Sequence, residues 1–190
     1  MKKIGILGGT FNPPHMGHLL MANEAMHALG LDEVRFMPNA VPPHKKVTYM
    51  PSDAQRMAML QALLKQEPKF CIEQYELQRG GTSYTVDTMT ALTQREPESR
   101  FYFIIGGDSV NTLHTWVRIE ELVKLVTFVG IMRPGYVATS PYAVHMLETP
   151  QLDVSSTLLR ERLMQAYTVN YLLPQAVEHY IRKEGLYGAT

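Results

Sequence analysis

Two histidines near the amino terminus lie in a glycine-rich stretch whose composition suits phosphate binding. A short apolar run, residues 4–7, leads into Gly8, Gly9 and Thr10, which are followed by the segment FNPPHMGH at residues 11–18. Glycines directly after a strand let backbone N–H groups approach an anion, and a helix that begins next adds the partial positive charge of its amino end. The stretch therefore predicts a phosphate site formed by Gly8, Gly9 and Thr10.

The spacing of the histidines adds a second reason to expect an anion here. His15 and His18 are three residues apart, so they lie on one face if the helix has begun by then. Imidazoles donate hydrogen bonds to phosphate oxygens and, when protonated, carry positive charge. For either histidine alone, a capping or surface role is the alternative. A zinc site is disfavoured because no third ligand is suitably spaced, and neither a dinucleotide fingerprint nor a P-loop can be drawn through the glycines.

The elements that must position these residues alternate between strands and helices. Apolar runs predict strands at residues 4–7, 34–37, 70–72, 101–105 and 125–132. Helical spacing predicts helices around residues 19–29, after an N-cap at Ser52, from about residue 86 to 95, and after Pro174. This alternation predicts an α/β fold: a single Rossmann-like domain over residues 1–190, with helices on both faces of a parallel sheet and a small C-terminal helical part. The proline-rich segments 38–51 and 133–141 are expected to be surface loops.

Composition excludes several classes of protein. Lys plus Arg and Asp plus Glu both number 18, so the formal charge is zero and a nucleic-acid partner is disfavoured. Cys71, the single cysteine, cannot form an internal disulfide, which fits a cytoplasmic location. The apolar run after Lys2 and Lys3 is too short for a secretion signal of about 7–15 apolar residues, and a membrane span would need about 18. We therefore expect no membrane association.

The whole amino-terminal motif, Gly-x-Phe-x-Pro-x-His-x-Gly-His, resembles the HxGH signature of the nucleotidylyltransferase superfamily, which binds a triphosphate during nucleotidyl transfer. A second segment, residues 154–160, resembles the second signature of that superfamily, Ile-Ser-Ser-Thr-x-x-Arg. In this chain Val154 stands in place of the Ile. The resemblance implies catalytic roles for His15, His18 and Arg160. It implies phosphate binding by Ser155, Ser156 and Thr157.

The second signature also has a purely structural interpretation, as a Ser or Thr N-cap followed one turn later by an exposed arginine. Hydroxyls, free N–H groups and a guanidinium around one helix start nevertheless form a second anion site. Two such helix starts suit a triphosphate and its pyrophosphate leaving group.

Nearly the whole chain is similar to the bacterial nicotinate-nucleotide adenylyltransferases, which join nicotinate mononucleotide to the adenylyl group of ATP. The similarity includes PPHK at residues 42–45, GG at 80–81, SYT at 83–85, TW at 115–116 and RPG at 133–135. It implies that Tyr84 and Thr85 lie at the nicotinate end and that Trp116 stacks on the pyridine ring. It also implies roles for Asp108 at ribose hydroxyls, Lys45 at phosphate and Arg133 at the adenosine side.

Three of these residues have alternative interpretations. Trp116 is the only tryptophan and lies among polar residues, where a flat ring could face a ligand, but core packing explains it as well. Asp108 follows an apolar strand and two glycines, which places it at the carboxyl rim of the sheet where α/β proteins bind ligands. A surface-turn aspartate is the alternative there. Lys45 could equally be a solvated charge.

The reaction that the resemblance implies is an in-line attack by the mononucleotide phosphate on the α-phosphorus of ATP. Mg²⁺ would be carried with ATP, because no carboxylate cage for a protein-bound metal is evident. The rivals are an adenylyltransferase acting on phosphopantetheine or on nicotinamide mononucleotide, and a non-catalytic nucleotide sensor. ATP and nicotinate mononucleotide are the expected partners, and a homodimer is left open.

Overall fold

A single six-stranded parallel sheet organises the chain. The computed structural model describes residues 1–41, 49–132, 139–150 and 152–189. The sheet order is β3-β2-β1-β4-β5-β6, with every neighbouring pair parallel. The strands are β1 (Lys2–Gly9), β2 (Glu33–Pro38), β3 (Phe70–Ile72), β4 (Ser99–Gly106), β5 (Val126–Met132) and β6 (Val144–Glu148).

Helices cover both faces of this sheet. They are α1 (Met16–Leu29), α2 (Asp53–Leu64), α3 (Tyr75–Arg79), α4 (Thr85–Arg95), α5 (Gly107–Asn111), α6 (Ile119–Leu125), α7 (Ser156–Met164) and α8 (Gln175–Lys183). Short 3₁₀ turns lie at Leu113–Thr115 and Leu186–Gly188. One apolar core contains side chains of α1, α2, α7 and α8, and a second contains side chains of α4, α5 and α6. The Rossmann-like α/β fold, with helices on both faces and a helical C-terminal part, is confirmed.

Strand β4 shows why the sheet is buried on both sides. Successive side chains of a strand point to opposite faces. Tyr102 and Ile104 accordingly join the first core, while Phe101, Phe103 and Ile105 join the second. Residues 101–105 of β4, which are buried on both faces, are accordingly all apolar, as is typical of parallel sheets.

The strand order creates a crevice between β1 and β4. The chain leaves β1 toward α1 on one face and leaves β4 toward α5 on the other, so the two connections diverge. In doubly wound sheets ligands bind at this topological switch point, outside the carboxyl ends of the strands. The expected ligand edge of the sheet is thus defined by residues that follow Gly9 and Gly106.

Local differences from the sequence prediction have simple causes. Ser52 is the N-cap of α2, as expected, and its Oγ accepts the Gln55 N–H at 3.2 Å. Strand β6 was not predicted because it is a half-exposed edge strand with no continuous apolar run. Leu125, expected to begin a strand, ends α6 instead, and α3, α5 and α6 are too short for a helical stripe to stand out. Within the described residues, none of the helices has the length and apolar character to cross a bilayer.

Candidate active site

A cleft of about 1510 Å³ opens at the carboxyl ends of β1 and β4. This volume exceeds the roughly 300–1,000 Å³ typical of a pocket for one small ligand, so the cleft has room for two. Every sequence-predicted site residue that the structure describes lines it: Gly8, Gly9, Thr10, His15, His18, Tyr84, Thr85, Asp108, Trp116, Ser155, Ser156, Thr157 and Arg160. Lys45 and Arg133, also predicted, lie outside the described residues.

The two histidines contact each other at the start of α1. His15 is the N-cap, and its backbone N–H donates to Nδ1 of His18 at 3.1 Å. The ring centroids are 3.8 Å apart with the planes inclined by 30°. Because Nδ1 of His18 accepts this bond, the neutral imidazole carries its proton on Nε2. In the neutral ring, the cap therefore fixes the tautomer that has Nε2–H as its donor.

The segment from the last residue of β1 to the residue before α1, residues 9–15, is called the phosphate loop here. Four of its carbonyl oxygens accept hydrogen bonds from three parts of the fold: the segment after β2, α2 and α7. The pairs are Gly9 O with the Asn39 N–H at 3.0 Å, Thr10 O with Arg56 Nη1 at 3.1 Å, Asn12 O with Arg160 Nη1 at 2.8 Å, and Pro13 O with Ser156 Oγ at 2.8 Å. In a trans peptide the N–H group points away from the preceding carbonyl. The N–H groups of Thr10 and Phe11 are thus directed away from these donors.

Helix α7 brings the second signature into direct contact with the first. Ser155 caps the helix, since its Oγ accepts the Leu158 N–H at 3.2 Å. Half-buried Arg160 donates to Asn12 O and also to Thr157 Oγ1, the latter at 3.2 Å. The capping interpretation is correct for Ser155, but Arg160 is not merely an exposed surface arginine. Its guanidinium joins both signatures and has further N–H groups in its fork.

Trp116 lines the cleft and also packs against the second core, so its packing role is present and its stacking role stays a prediction. Its ring makes edge contacts with Phe103 and Phe128, with centroids 5.9 and 6.0 Å apart and planes at 90° and 85°. The residue is only half-buried and lines the cleft. Packing against the second core therefore holds the indole in place at the ligand edge.

The remaining predicted site residues of the cleft, Tyr84, Thr85 and Asp108, lie at helix starts. Tyr84 is the N-cap of α4 and Thr85 is its first residue, so hydroxyl and backbone donors are presented together. Asp108 is exposed in α5, directly after β4, which is the rim position expected from the sequence. Hydroxyl-rich ligands are suited to such a carboxylate.

Several residues that support the phosphate loop were missed by sequence reasoning. Asn12, 2% exposed, donates from Nδ2 to Tyr49 O at 2.9 Å and accepts from the Tyr187 hydroxyl at 2.7 Å. Burial raises the pKa of Tyr187, so this hydroxyl stays protonated as a donor. Arg56 is fully buried and bonds both Thr10 O and Asp53. Asn12 could have been suspected from its place within the motif, whereas Arg56 and Tyr187 carry no local signal.

Among the described residues, no group of three or more His, Cys, Asp or Glu side chains is arranged to hold a metal ion. The anion-binding groups of the cleft are N–H donors, hydroxyls, imidazoles and a guanidinium, all of which suit phosphate oxygens. The chemistry that this arrangement supports is alignment of phosphate groups and stabilisation of their charge.

Comparison with known proteins identifies the family. Residues 6–162 match the cytidylyltransferase-like family model. A probable nicotinate-nucleotide adenylyltransferase of Bacillus mycoides is 55% identical over 187 residues, which cover 98% of this chain and 99% of the relative. One from Geobacillus thermodenitrificans is 50% identical over 189 residues, covering 100% of this chain and 88% of the relative. The chain belongs to the nicotinate-nucleotide adenylyltransferase family.

Membership of the nicotinate-nucleotide adenylyltransferase family makes the chain a nucleotidyltransferase, as the two signatures implied. The fold of the family extends to distant relatives. A Plasmodium falciparum nicotinic acid mononucleotide adenylyltransferase complexed with NaAD superposes with a TM-score of 0.85, covering 100% of this chain and 99% of that one at 20% identity. At this identity the superposition supports the fold alone.

Proposed function

We propose that the protein transfers the adenylyl group of ATP to nicotinate mononucleotide, forming nicotinate adenine dinucleotide and pyrophosphate. The observation that carries this proposal is the direct bond between the two signatures, from Arg160 to the carbonyl of Asn12 at 2.8 Å. It holds two anion-binding helix starts at one cleft. That arrangement suits a triphosphate that is cleaved between its α- and β-phosphates.

In the proposed reaction, an oxygen of the mononucleotide phosphate attacks the α-phosphorus of ATP. The bond from that phosphorus to the oxygen bridging to the β-phosphate breaks, and pyrophosphate leaves with the electron pair. The attacking group is already an anion, so no side-chain nucleophile is required. Catalysis then consists of alignment of the two phosphates and stabilisation of charge on the bridging and equatorial oxygens.

The phosphate loop and α7 provide that stabilisation in the proposal. The Nε2–H of His18, fixed by the bond from the His15 amide, donates to a phosphate oxygen. Arg160 adds a permanent positive charge beside it. Ser155, Ser156 and Thr157 at the start of α7 receive the pyrophosphate end, and so do the backbone donors after Gly8 and Gly9.

The acceptor occupies the Trp116 side of the cleft in the proposal. The carboxylate of nicotinate binds the hydroxyl and N–H groups of Thr85 beside Tyr84, and the pyridine ring stacks on the indole. Asp108 accepts hydrogen bonds from ribose hydroxyls. Lys45 and Arg133 keep the roles that the resemblance implies, at phosphate and at adenosine, as predictions.

Mg²⁺ enters this scheme as part of the substrate MgATP. Phosphate oxygens and water complete its coordination, since Mg²⁺ keeps several waters and commonly binds through substrate phosphates. Chelation of Mg²⁺ with EDTA should abolish turnover and leave the unfolding temperature unchanged.

A cytoplasmic location and a homodimer also stay predictions. Sedimentation of the protein at assay concentrations tests the dimer.

A pyrophosphate-release assay with MgATP and each candidate acceptor tests the function. Nicotinate mononucleotide should give the highest kcat/KM. Nicotinamide mononucleotide should be at least about tenfold worse, because an amide leaves donors built for a carboxylate poorly satisfied. Equal efficiency would refute the choice of acceptor, and preference for phosphopantetheine would favour that rival. Binding of ATP without release from any acceptor would indicate a nucleotide sensor.

A further inference from the structure

Glu76 is a buried carboxylate in the wall of the cleft that the proposed reaction does not use. It lies in α3, is 4% exposed and lines the cleft beside Tyr84 and Thr85. Its Oε1 accepts the Thr88 hydroxyl at 2.8 Å, and its carboxylate also accepts the Ser83 hydroxyl. Burial raises the pKa of Glu76, while these two hydrogen bonds oppose the rise. A carboxylate removed from water is unfavourable unless it is paired, so these hydroxyls are the partners that retain it.

The two hydroxyls lie on either side of the proposed nicotinate-binding pair. Thr88 is in the first turn of α4, directly after Tyr84 and Thr85. Ser83 immediately precedes the pair, and its Oγ also accepts the backbone N–H of Ala40 at 3.0 Å. Glu76 therefore links α3, the start of α4 and the segment after β2.

Besides this link, the chain between α3 and α4 is held by Arg79, which donates to the Thr82 carbonyl, and by Val41. Gly80 and Gly81 have φ angles of +68° and +70°, in the left-handed region that only glycine adopts readily. Two consecutive glycines confer little local preference for one conformation. The Ser83 N–H donates to Val41 O at 3.0 Å, which fixes one end of the segment. The hydroxyls bound by Glu76 fix the orientation of the first turn of α4.

We propose that Glu76 is a positioning residue that sets the affinity for the acceptor nucleotide by holding Ser83 and Thr88, and through them Tyr84 and Thr85. This inference rests on the proposed function, in which Tyr84 and Thr85 bind the nicotinate end. The phosphate loop is held by a separate set of donors, from Arg56, Arg160, Ser156 and Asn39. A change at Glu76 should consequently affect the acceptor and not ATP.

The direct test is Glu76→Gln, which keeps the shape of the side chain but removes its charge and one of its two acceptor oxygens. We expect the KM for nicotinate mononucleotide to rise about tenfold, as is typical for loss of a hydrogen bond to a charged group. The KM for ATP and kcat should stay within about twofold. Glu73→Gln is the matched control. Glu73 is also a buried carboxylate, 7% exposed, but it pairs with Arg35 and Arg95 and is not among the residues that line the cleft.

Amide hydrogen exchange in the ligand-free protein gives a second readout that needs no substrate. Peptides covering residues 80–88 should exchange faster in Glu76→Gln and in Thr88→Val than in the wild type, whereas Thr88→Ser, which keeps the hydroxyl, should restore protection. Glu73→Gln should leave this segment unchanged. If Glu76→Gln does not fold, Thr88→Val carries both measurements.

An unchanged KM for nicotinate mononucleotide in Glu76→Gln, with an active wild type, would overturn the inference. Equal rises in the KM of both substrates would also overturn it, because they would indicate a general packing defect. A wild type that does not use nicotinate mononucleotide would instead refute the proposed function. The exchange measurement then decides the inference alone, and unchanged protection of residues 80–88 would refute it.

Discussion

Replacement of Arg56 by methionine should separate catalysis from stability. Arg56 is fully buried in α2, beneath the phosphate loop. Its Nη1 donates to Thr10 O at 3.1 Å, and its Nη2 pairs with Asp53 at 2.6 Å. The Nε atom has no hydrogen-bond partner among the described residues. The guanidinium is thus a buried cation that is incompletely satisfied and that directly supports the phosphate loop.

The expected change in the free energy of unfolding is small because opposing effects are similar in size. Loss of the two charge-assisted hydrogen bonds costs about 1.5–3 kcal/mol each. Against this, burial of a cation carries a desolvation penalty of several kcal/mol, which methionine lacks. The side chain of Asp53 is 58% exposed, so water solvates it once its partner is gone. We therefore expect stability to change by no more than about 2 kcal/mol.

Activity should fall much more than stability. Without Arg56 the carbonyl of Thr10 loses its anchor, and the phosphate loop can shift relative to the donors on α7. Misplacement of reacting groups by about 1 Å can cost up to about 100-fold, so we expect kcat for adenylyl transfer to fall about 10- to 100-fold in Arg56→Met. Urea unfolding and steady-state pyrophosphate release on the same preparation measure the two quantities.

Arg35→Met is the matched control and should show the opposite pattern. Arg35, in β2 next to the edge strand β3, bonds Glu33, Glu73 and Glu96, does not line the cleft and has a side chain that is 11% exposed. Its removal leaves three neighbouring carboxylates without that partner, which should cost roughly 3 kcal/mol of stability with little effect on kcat. An Arg56→Met protein that is strongly destabilised yet turns over normally would refute the assignment of Arg56 to loop positioning.

The contacts of His18, Trp116 and Glu96 support three further predictions. His18→Ala should lower kcat about 100-fold with an unchanged circular dichroism spectrum. Normal turnover in this variant would indicate that His18 is only a capping residue. Trp116→Ala should raise the KM for nicotinate mononucleotide about tenfold and leave that for ATP unchanged, with some loss of stability from the contact with Phe103; equal changes for both substrates would indicate core packing alone. Hydrogen bonding to Arg35 lowers the pKa of Glu96 from 4.5 to about 2, so its stabilisation is complete above about pH 4.5 and is lost as the pH falls through about 2. In acid titrations of unfolding, the stability deficit of Glu96→Gln should accordingly shrink and vanish near pH 2, and a constant deficit would contradict the pKa assignment.

The sequence allowed the central strands and the longer helices to be predicted because their signals are local. Residues 101–105 of β4 form a continuous apolar run, since both faces are covered there, and α2 begins at a Ser-x-x-Gln capping pair that is evident in the sequence. The edge strand β6 and the five-residue helices α3 and α5 have neither kind of signal. Their conformation is decided by tertiary packing, which a window of sequence does not contain.

The same distinction divides the active site. Residues proposed to contact the ligand must present particular chemical groups at particular spacings, so His15 and His18 could be predicted from type and pattern, and Arg160 from the resemblance of its segment to a known signature. Residues that hold them in place need only reach the right carbonyl, and they come from anywhere in the chain. Tyr187 bonds Asn12 across 175 residues, and Arg56 bonds Thr10 across 46. Such contacts arise only once the sheet has brought these segments together.

For the histidine pair, the structural role is compatible with the proposed catalytic role. A cap was the competing explanation for His15 and His18, and the structure does contain it, as the bond from the His15 amide to Nδ1 of His18. That bond occupies the one ring nitrogen able to accept in the neutral imidazole, and so commits the other to donation. An uncommitted imidazole would offer a phosphate oxygen either a donor or a lone pair. The cap is therefore what makes His18 a dependable donor, and a variant that broke it while keeping the ring should lose part of the catalytic effect.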